Sequence, residues 1–105
     1  MGTNYMKMMG QLKKVQQQME KAQEELANEL FSATSGGGAV KVTVTGEQQV
    51  KGIEISKDIL NPDDADILSD MLVVALNEAM AKAKEEASRK LSVLGAGLGI
   101  PPGVL

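Results

Sequence analysis

The chain has no cysteine and no histidine, no tryptophan, one phenylalanine (Phe31), one tyrosine (Tyr5) and only three prolines. Without cysteine there can be no disulfide, no thiolate nucleophile and no Cys-ligated zinc. Without histidine the commonest general base and metal ligand is missing. The serines Ser32, Ser35, Ser56, Ser69, Ser88 and Ser92 have no imidazole to activate them, and no motif supplies a lysine partner. A non-enzymatic protein is therefore expected, with no catalytic residue, no cofactor and no metal. The longest apolar run, Met71 to Leu76, is far short of the roughly 20 residues of a membrane span. Met1 to Leu12 holds Lys7 but no apolar signal core. A cytoplasmic protein is expected, with no membrane partner and no small-molecule substrate.

What remains is aliphatic. Hydrophobic residues make up 43% of the 105, enough for one folded domain but too few residues for two independent cores. The expected arrangement is a single domain over residues 1–94 and a flexible Gly/Pro-containing tail over 95–105.

From Thr3 to about Leu30 the sequence is rich in Gln, Lys, Glu, Met, Leu and Ala, and predicts a helix. Its apolar positions, Met1, Tyr5, Met8, Leu12, Val15, Met19, Ala22 and Leu26, step by four and three, which is a heptad seam. Phe31 to Gly38 reads as a short strand entering a glycine turn. Val40, Val42 and Val44 alternate with Lys41, Thr43 and Thr45, the pattern of a strand with one buried face. Gly46-Glu47 suits a turn. Val50 to Ser56 reads as the partner strand, with Ile53 and Ile55 on one face and a bulge near Gly52 because Val50 is out of phase.

Asn61-Pro62-Asp63-Asp64 opens a second helix, with a capping Asn, Pro at the first position and acids against the positive end of the dipole. That helix is expected to reach about Leu94, with its first half on the sheet. Its second half, marked by the narrow stripe Ala79, Ala83, Ala87, Leu91 and Leu94, is expected to extend into solvent. The fold class is thus α+β, helix-strand-strand-strand-helix, with a small antiparallel sheet. Helices of about 28 and 33 residues would be roughly 42 and 50 Å long, too long for a compact globule of this size. Both must project, and the start of the first and the end of the second should share a distal tip.

Charge is unevenly spread. Residues 1–21 carry Lys7, Lys13, Lys14 and Lys21 against Glu20, residues 82–94 carry Lys82, Lys84, Arg89 and Lys90 against Glu85 and Glu86, and residues 22–81 carry eleven acids and three lysines. The overall −3 conceals basic ends and an acidic middle. Basic projections suit a polyanion, although lysines also serve simply to solvate an exposed helix.

Other motifs are weaker. Gly36-Gly37-Gly38 precedes a strand and lacks the Lys-Ser/Thr of a phosphate loop, while Gly95-Ala96-Gly97-Leu98-Gly99 follows a helix and opens no βαβ unit. Asp63, Asp64, Asp66 and Asp70 fit helix capping better than an EF-hand. Met1, Met6, Met8 and Met9 fit packing better than soft-metal binding.

Taken in order and spacing, Met8 to Leu30, Gly37 to Gly46 (GGAVKVTVTG), Val50 to Ser56 (VKGIEIS), Leu72 to Ala81 (LVVALNEAMA) and Leu98 to Gly103 (LGIPPG) resemble the YbaB/EbfC family of nucleoid-associated proteins. The resemblance covers nearly the whole chain. It implies a tweezer-like homodimer with the sheets as its body, without enzymatic activity, that binds duplex DNA in the nucleoid with little sequence preference. On that reading the phosphate contacts come from Lys7, Lys13, Lys14, Lys21, Lys82, Lys84, Arg89 and Lys90, and a role in nucleoid organisation and gene regulation is implied. A competing expectation is a small acidic dimeric chaperone or scaffold that holds a protein partner through its sheet or its heptad seam.

Overall fold

A computed structural model describes residues 2–97. The order is α1 (Gly2–Asn28), β1 (Leu30–Ser35), β2 (Val40–Thr45), β3 (Val50–Ile55), two short 3-10 turns (Lys57–Ile59 and Pro62–Asp64) and α2 (Ala65–Gly97). The strands form one antiparallel sheet in the order β1-β2-β3. Overall extents are 74 × 20 × 16 Å with a radius of gyration of 20.1 Å, against about 13 Å for a compact 100-residue domain. The expected projection is real.

The sheet is a meander. Gly36, Gly37 and Gly38 turn the chain from β1 to β2 with φ of 63°, 69° and 93°, a left-handed region that residues with a Cβ rarely enter. Beyond β2, the buried Thr45 hydroxyl accepts from the Glu47 and Gln49 N–H groups at 3.3 and 3.2 Å, which closes the second turn. Thr43 pairs with Gly52 and Val44 with Val50, leaving Lys51 as the extra residue of a bulge. The glycine-marked irregularity expected from the phase of Val50 is there.

Cross-strand partners share a face. Val40, Val42 and Val44, fully buried, therefore lie with Phe31, Ala33 and Ser35 of β1 and with Val50, Ile53 and Ile55 of β3. Onto this face α2 lays Ala75, Ala79 and Ala83, all fully buried, with Leu68, Met71, Leu72, Leu76 and Met80 packed around them. This corrects the expectation that the alanine stripe marks a solvent-going half. A stripe of methyl groups lets a helix axis approach closely, so it marks contact with the sheet. Ser35 Oγ donates to the Met71 carbonyl at 2.6 Å and Lys82 Nζ to the Ser32 carbonyl at 2.9 Å, fastening α2 along β1.

The second helix begins as expected: Asn61 Oδ1 accepts from the Asp63 N–H at 3.0 Å and Pro62 takes the first position, although the first turn is 3-10. Its end differs. The helix runs through Gly95 to Gly97 rather than stopping at Leu94, because a glycine costs a helix only about 1 kcal/mol and Gly95 is buried. The rest of the expected tail, 98–105, lies outside the described residues.

The root of α1 is a single close approach. The Gly46 N–H donates to the carbonyls of Leu26 and Glu29 at 2.9 and 3.1 Å. A Cβ on Gly46 would stand 2.3 Å from the Leu26 carbonyl oxygen, so only glycine fits here without the backbone moving.

Candidate nucleic-acid interface

From this root α1 runs away from the sheet beside the last turns of α2. Glu25 meets Lys90 at 3.0 Å, and a cleft of about 320 Å³ between the helices is lined by Gln18, Lys21, Ala22, Glu25, Lys90, Val93 and Leu94. The level of Leu94 is thus the level of Gln18 to Ala22. Among the described residues the shared distal tip is therefore corrected: α1 continues past the described end of α2 for residues 4–17, about 21 Å at 1.5 Å per residue. Helix periodicity fixes which face is apolar but not the axial register between two helices.

The eight basic residues consequently divide into three groups. Lys7, Lys13 and Lys14 stand on the bare arm. Lys21 and Lys90 sit where the helices meet. Lys82 and Arg89 border a depression with Phe31, Glu85 and Glu86 beside β1, and Lys84 and Arg89 lie with Ala81, Glu85 and Ser88 along the outer side of α2. Those on α2 are at the base of the arm, not at its tip.

Electrostatic engagement separates them further. Arg89 is paired with Glu86, Lys90 with Glu25, and Lys82 is held by the Ser32 carbonyl. The hydrogen bond and then the charge of Lys90 hold the Glu25 carboxyl below its ordinary value against an opposing desolvation, and Lys21 contributes least. Among the described residues, Lys7, Lys13, Lys14, Lys21 and Lys84 make no ion pair.

A pattern missed in the sequence is visible on the helix. Lys7, Lys14 and Lys21 recur every seven residues and so form a straight stripe about 10.5 Å apart. Lys7 and Lys14 lie on the side away from the apolar seam, and Lys21 stands at the rim of the cleft with α2. Gln11, Gln17 and Gln18 stand beside the stripe with amides able to donate to phosphate oxygens. The seven-residue spacing was the available signal.

Ile53 and Ile55 share the core face of β3, as their alternation implies. The second helix packs on β1 and β2 and leaves Val50 46% and Ile53 44% exposed on that face. Val73 and Val74 of α2 are exposed as well. No group of three or more His, Cys, Asp or Glu side chains among the described residues is disposed to hold a metal, and no described helix is long and apolar enough to cross a membrane.

A sequence model of the YbaB/EbfC DNA-binding family matches residues 1–98. A nucleoid-associated protein of Pelotomaculum thermopropionicum is 45% identical over 101 residues, covering 96% of each chain. One from Dictyoglomus turgidum is 44% identical over 96 residues, 91% of this chain and 92% of its own. Among solved structures, an uncharacterized protein from Helicobacter pylori superposes with a TM-score of 0.72 at 22% identity, over 85% of this chain and 91% of that one. This last likeness speaks to the fold alone.

Proposed function

Given that the chain belongs to the YbaB/EbfC DNA-binding family, we propose that it binds duplex DNA as a homodimer, chiefly through phosphates, and resides with the nucleoid. The observation that carries this reading is the stripe of Lys7, Lys14 and Lys21 on a projecting helix, with none of the three in an ion pair among the described residues. Cations already held by a carboxylate or a carbonyl must break those contacts before reaching a phosphate, so Lys13 and Lys84 join the stripe ahead of Lys82, Arg89 and Lys90. The relatives' names, nucleoid-associated protein, support the same location.

The open apolar face of β3 supports self-association. Val50 and Ile53 lie on the sheet's core face without a covering element among the described residues, and a second copy would bury them symmetrically. Phosphate contacts carry little sequence information, so binding of low sequence preference follows. Any effect on transcription would come from where such a protein accumulates along the chromosome. No catalytic step is assigned to the chain.

The test is a salt series. Log affinity should fall linearly with log salt, and Lys7→Gln, Lys14→Gln and Lys21→Gln together should flatten the slope by about 0.9 for each phosphate no longer neutralised. The unfolding midpoint should not move. An unchanged slope in the triple variant would place the phosphate contacts elsewhere.

A further inference from the structure

The heptad seam of α1 is used twice in one length. Ala22 and Leu26 are buried, with Ala22 beside Val93 and Leu94 of α2. Further out the same seam continues through Tyr5, Met8 and Leu12, which are 63%, 56% and 59% exposed, with Val15 half-buried between the two stretches. A four-three spacing suits another helix rather than a broad globular surface.

We propose that this outer stretch pairs with the same stretch of a second copy, in antiparallel order. Three observations carry it. First, placing Tyr5, Leu12 and Met19 at one core position and Met8, Val15 and Ala22 at the other sets the flanking positions of the bare arm as Asn4, Met9, Gln11 and Gln16. None is charged, so two copies meet without repulsion at the positions that select partners. All of Lys7, Lys13 and Lys14 fall on the outward side, and pairing leaves them free.

Second, the seam reads the same in both directions. Antiparallel layers place Tyr5 against the second copy's Val15 and Met8 against its Leu12, and the reverse pairs follow by symmetry. A large ring faces a small branched side chain, and two side chains of similar size meet in the middle.

Third, α2 selects the order. In a parallel pair the second helix, continuing past Val15, would run into the last turns of α2, which face Ala22 across the cleft and leave it buried. Antiparallel, the incoming arm ends near the level where α2 ends and takes up the seam that α2 leaves. Two heptads make a weak contact alone, but arms carried on dimers would act together through their effective concentration. This surface is distinct from the open face of β3 proposed for the dimer itself, and each has its own disrupting substitution.

The absence of native cysteine permits a clean test in the full chain. Met8→Cys and Leu12→Cys proteins are mixed under oxidised glutathione, with Lys14→Cys, on the outward face, as control. Cross-linking of Met8→Cys to Leu12→Cys should exceed that of Lys14→Cys several-fold. In parallel, light scattering across a concentration series should show Leu12→Glu losing the species larger than a dimer, while Ile53→Glu loses the dimer. Preferential cross-linking of Leu12→Cys to itself would overturn the antiparallel order. Equal cross-linking at Lys14→Cys, or an unchanged mass series for Leu12→Glu, overturns the pairing and leaves the face to the chain's own C-terminal residues or to another macromolecule.

Discussion

The body and the arm of this molecule are built from similar residues to opposite ends. In the body, Val40, Val42 and Val44 meet Ala75, Ala79 and Ala83 and nothing of them is left to solvent. On the arm, Tyr5, Met6, Met8, Met9 and Leu12 are all at least half exposed. Apolar side chains stabilise the first and leave the second available. Charge follows the same division: acids gather along residues 22–81 and unpaired lysines on residues 7–21. Stability is concentrated in the body and the proposed phosphate contacts lie on the arm, so the two properties can be altered separately.

That separation can be broken most forcefully at Val42. Val42→Ala should lower stability by about 2 kcal/mol, the order expected for losing buried methyl groups from a filled core. Leu12→Ala, removing more carbon from the arm, should stay within about 0.5 kcal/mol at protein concentrations too low for arms to pair. Urea denaturation compares the two directly, and equal losses there would mean that the arm is packed within its own chain.

An intermediate effect is expected at the joint between the regions. Gly46→Ala pushes a methyl group against the Leu26 carbonyl, and the turn must shift to accommodate it. The outcome should be about 1–3 kcal/mol of destabilisation together with weaker DNA binding, although no lysine has been touched. Amide exchange should show α1 losing protection before the sheet does.

The smallest effect concerns Glu25. Its carboxyl is held below its ordinary value by Lys90, so the stabilisation is present above the unfolded-state value. It is lost as pH falls through the lower, folded value. Because the pair is solvent-exposed, screening should make the change slight and erase it in high salt. Comparing Glu25→Gln with the parent in an acid titration should show the parent's stability converging on the variant's at low pH.

Much of the body is legible in the amino-acid sequence. The alternation at Val40 to Val44 marks the central strand, Gly52 with the misplaced Val50 announces the bulge, and Asn61-Pro62 signals the start of α2. The faults arise where the answer depends on relations between elements. Ala79 and Ala83 look like a weak solvent-side stripe until a sheet is placed against them. Ile53 is placed on the apolar face of β3 by alternation, which does not report whether this chain supplies the cover. Among the candidate contacts, the charge on each end is readable from sequence. The Arg89–Glu86 pair, three residues apart on one helix, is readable as well; that Lys82 and Lys90 are already engaged is not, because their partners Ser32 and Glu25 are brought in by folding.

The joint at Gly46 also makes α1 a lever. A helix of 27 residues is about 40 Å long, so a tilt of about 10° at its root sweeps the far end through roughly 7 Å, close to the distance between neighbouring phosphates on a strand. The Glu25–Lys90 contact then serves as a brace, set nearer the fulcrum than the load. In the proposed DNA-binding dimer, the span within which Lys7 finds a phosphate would be governed by the stiffness of this root, and substitutions there would retune the gap between two arms without altering any of the proposed contact residues.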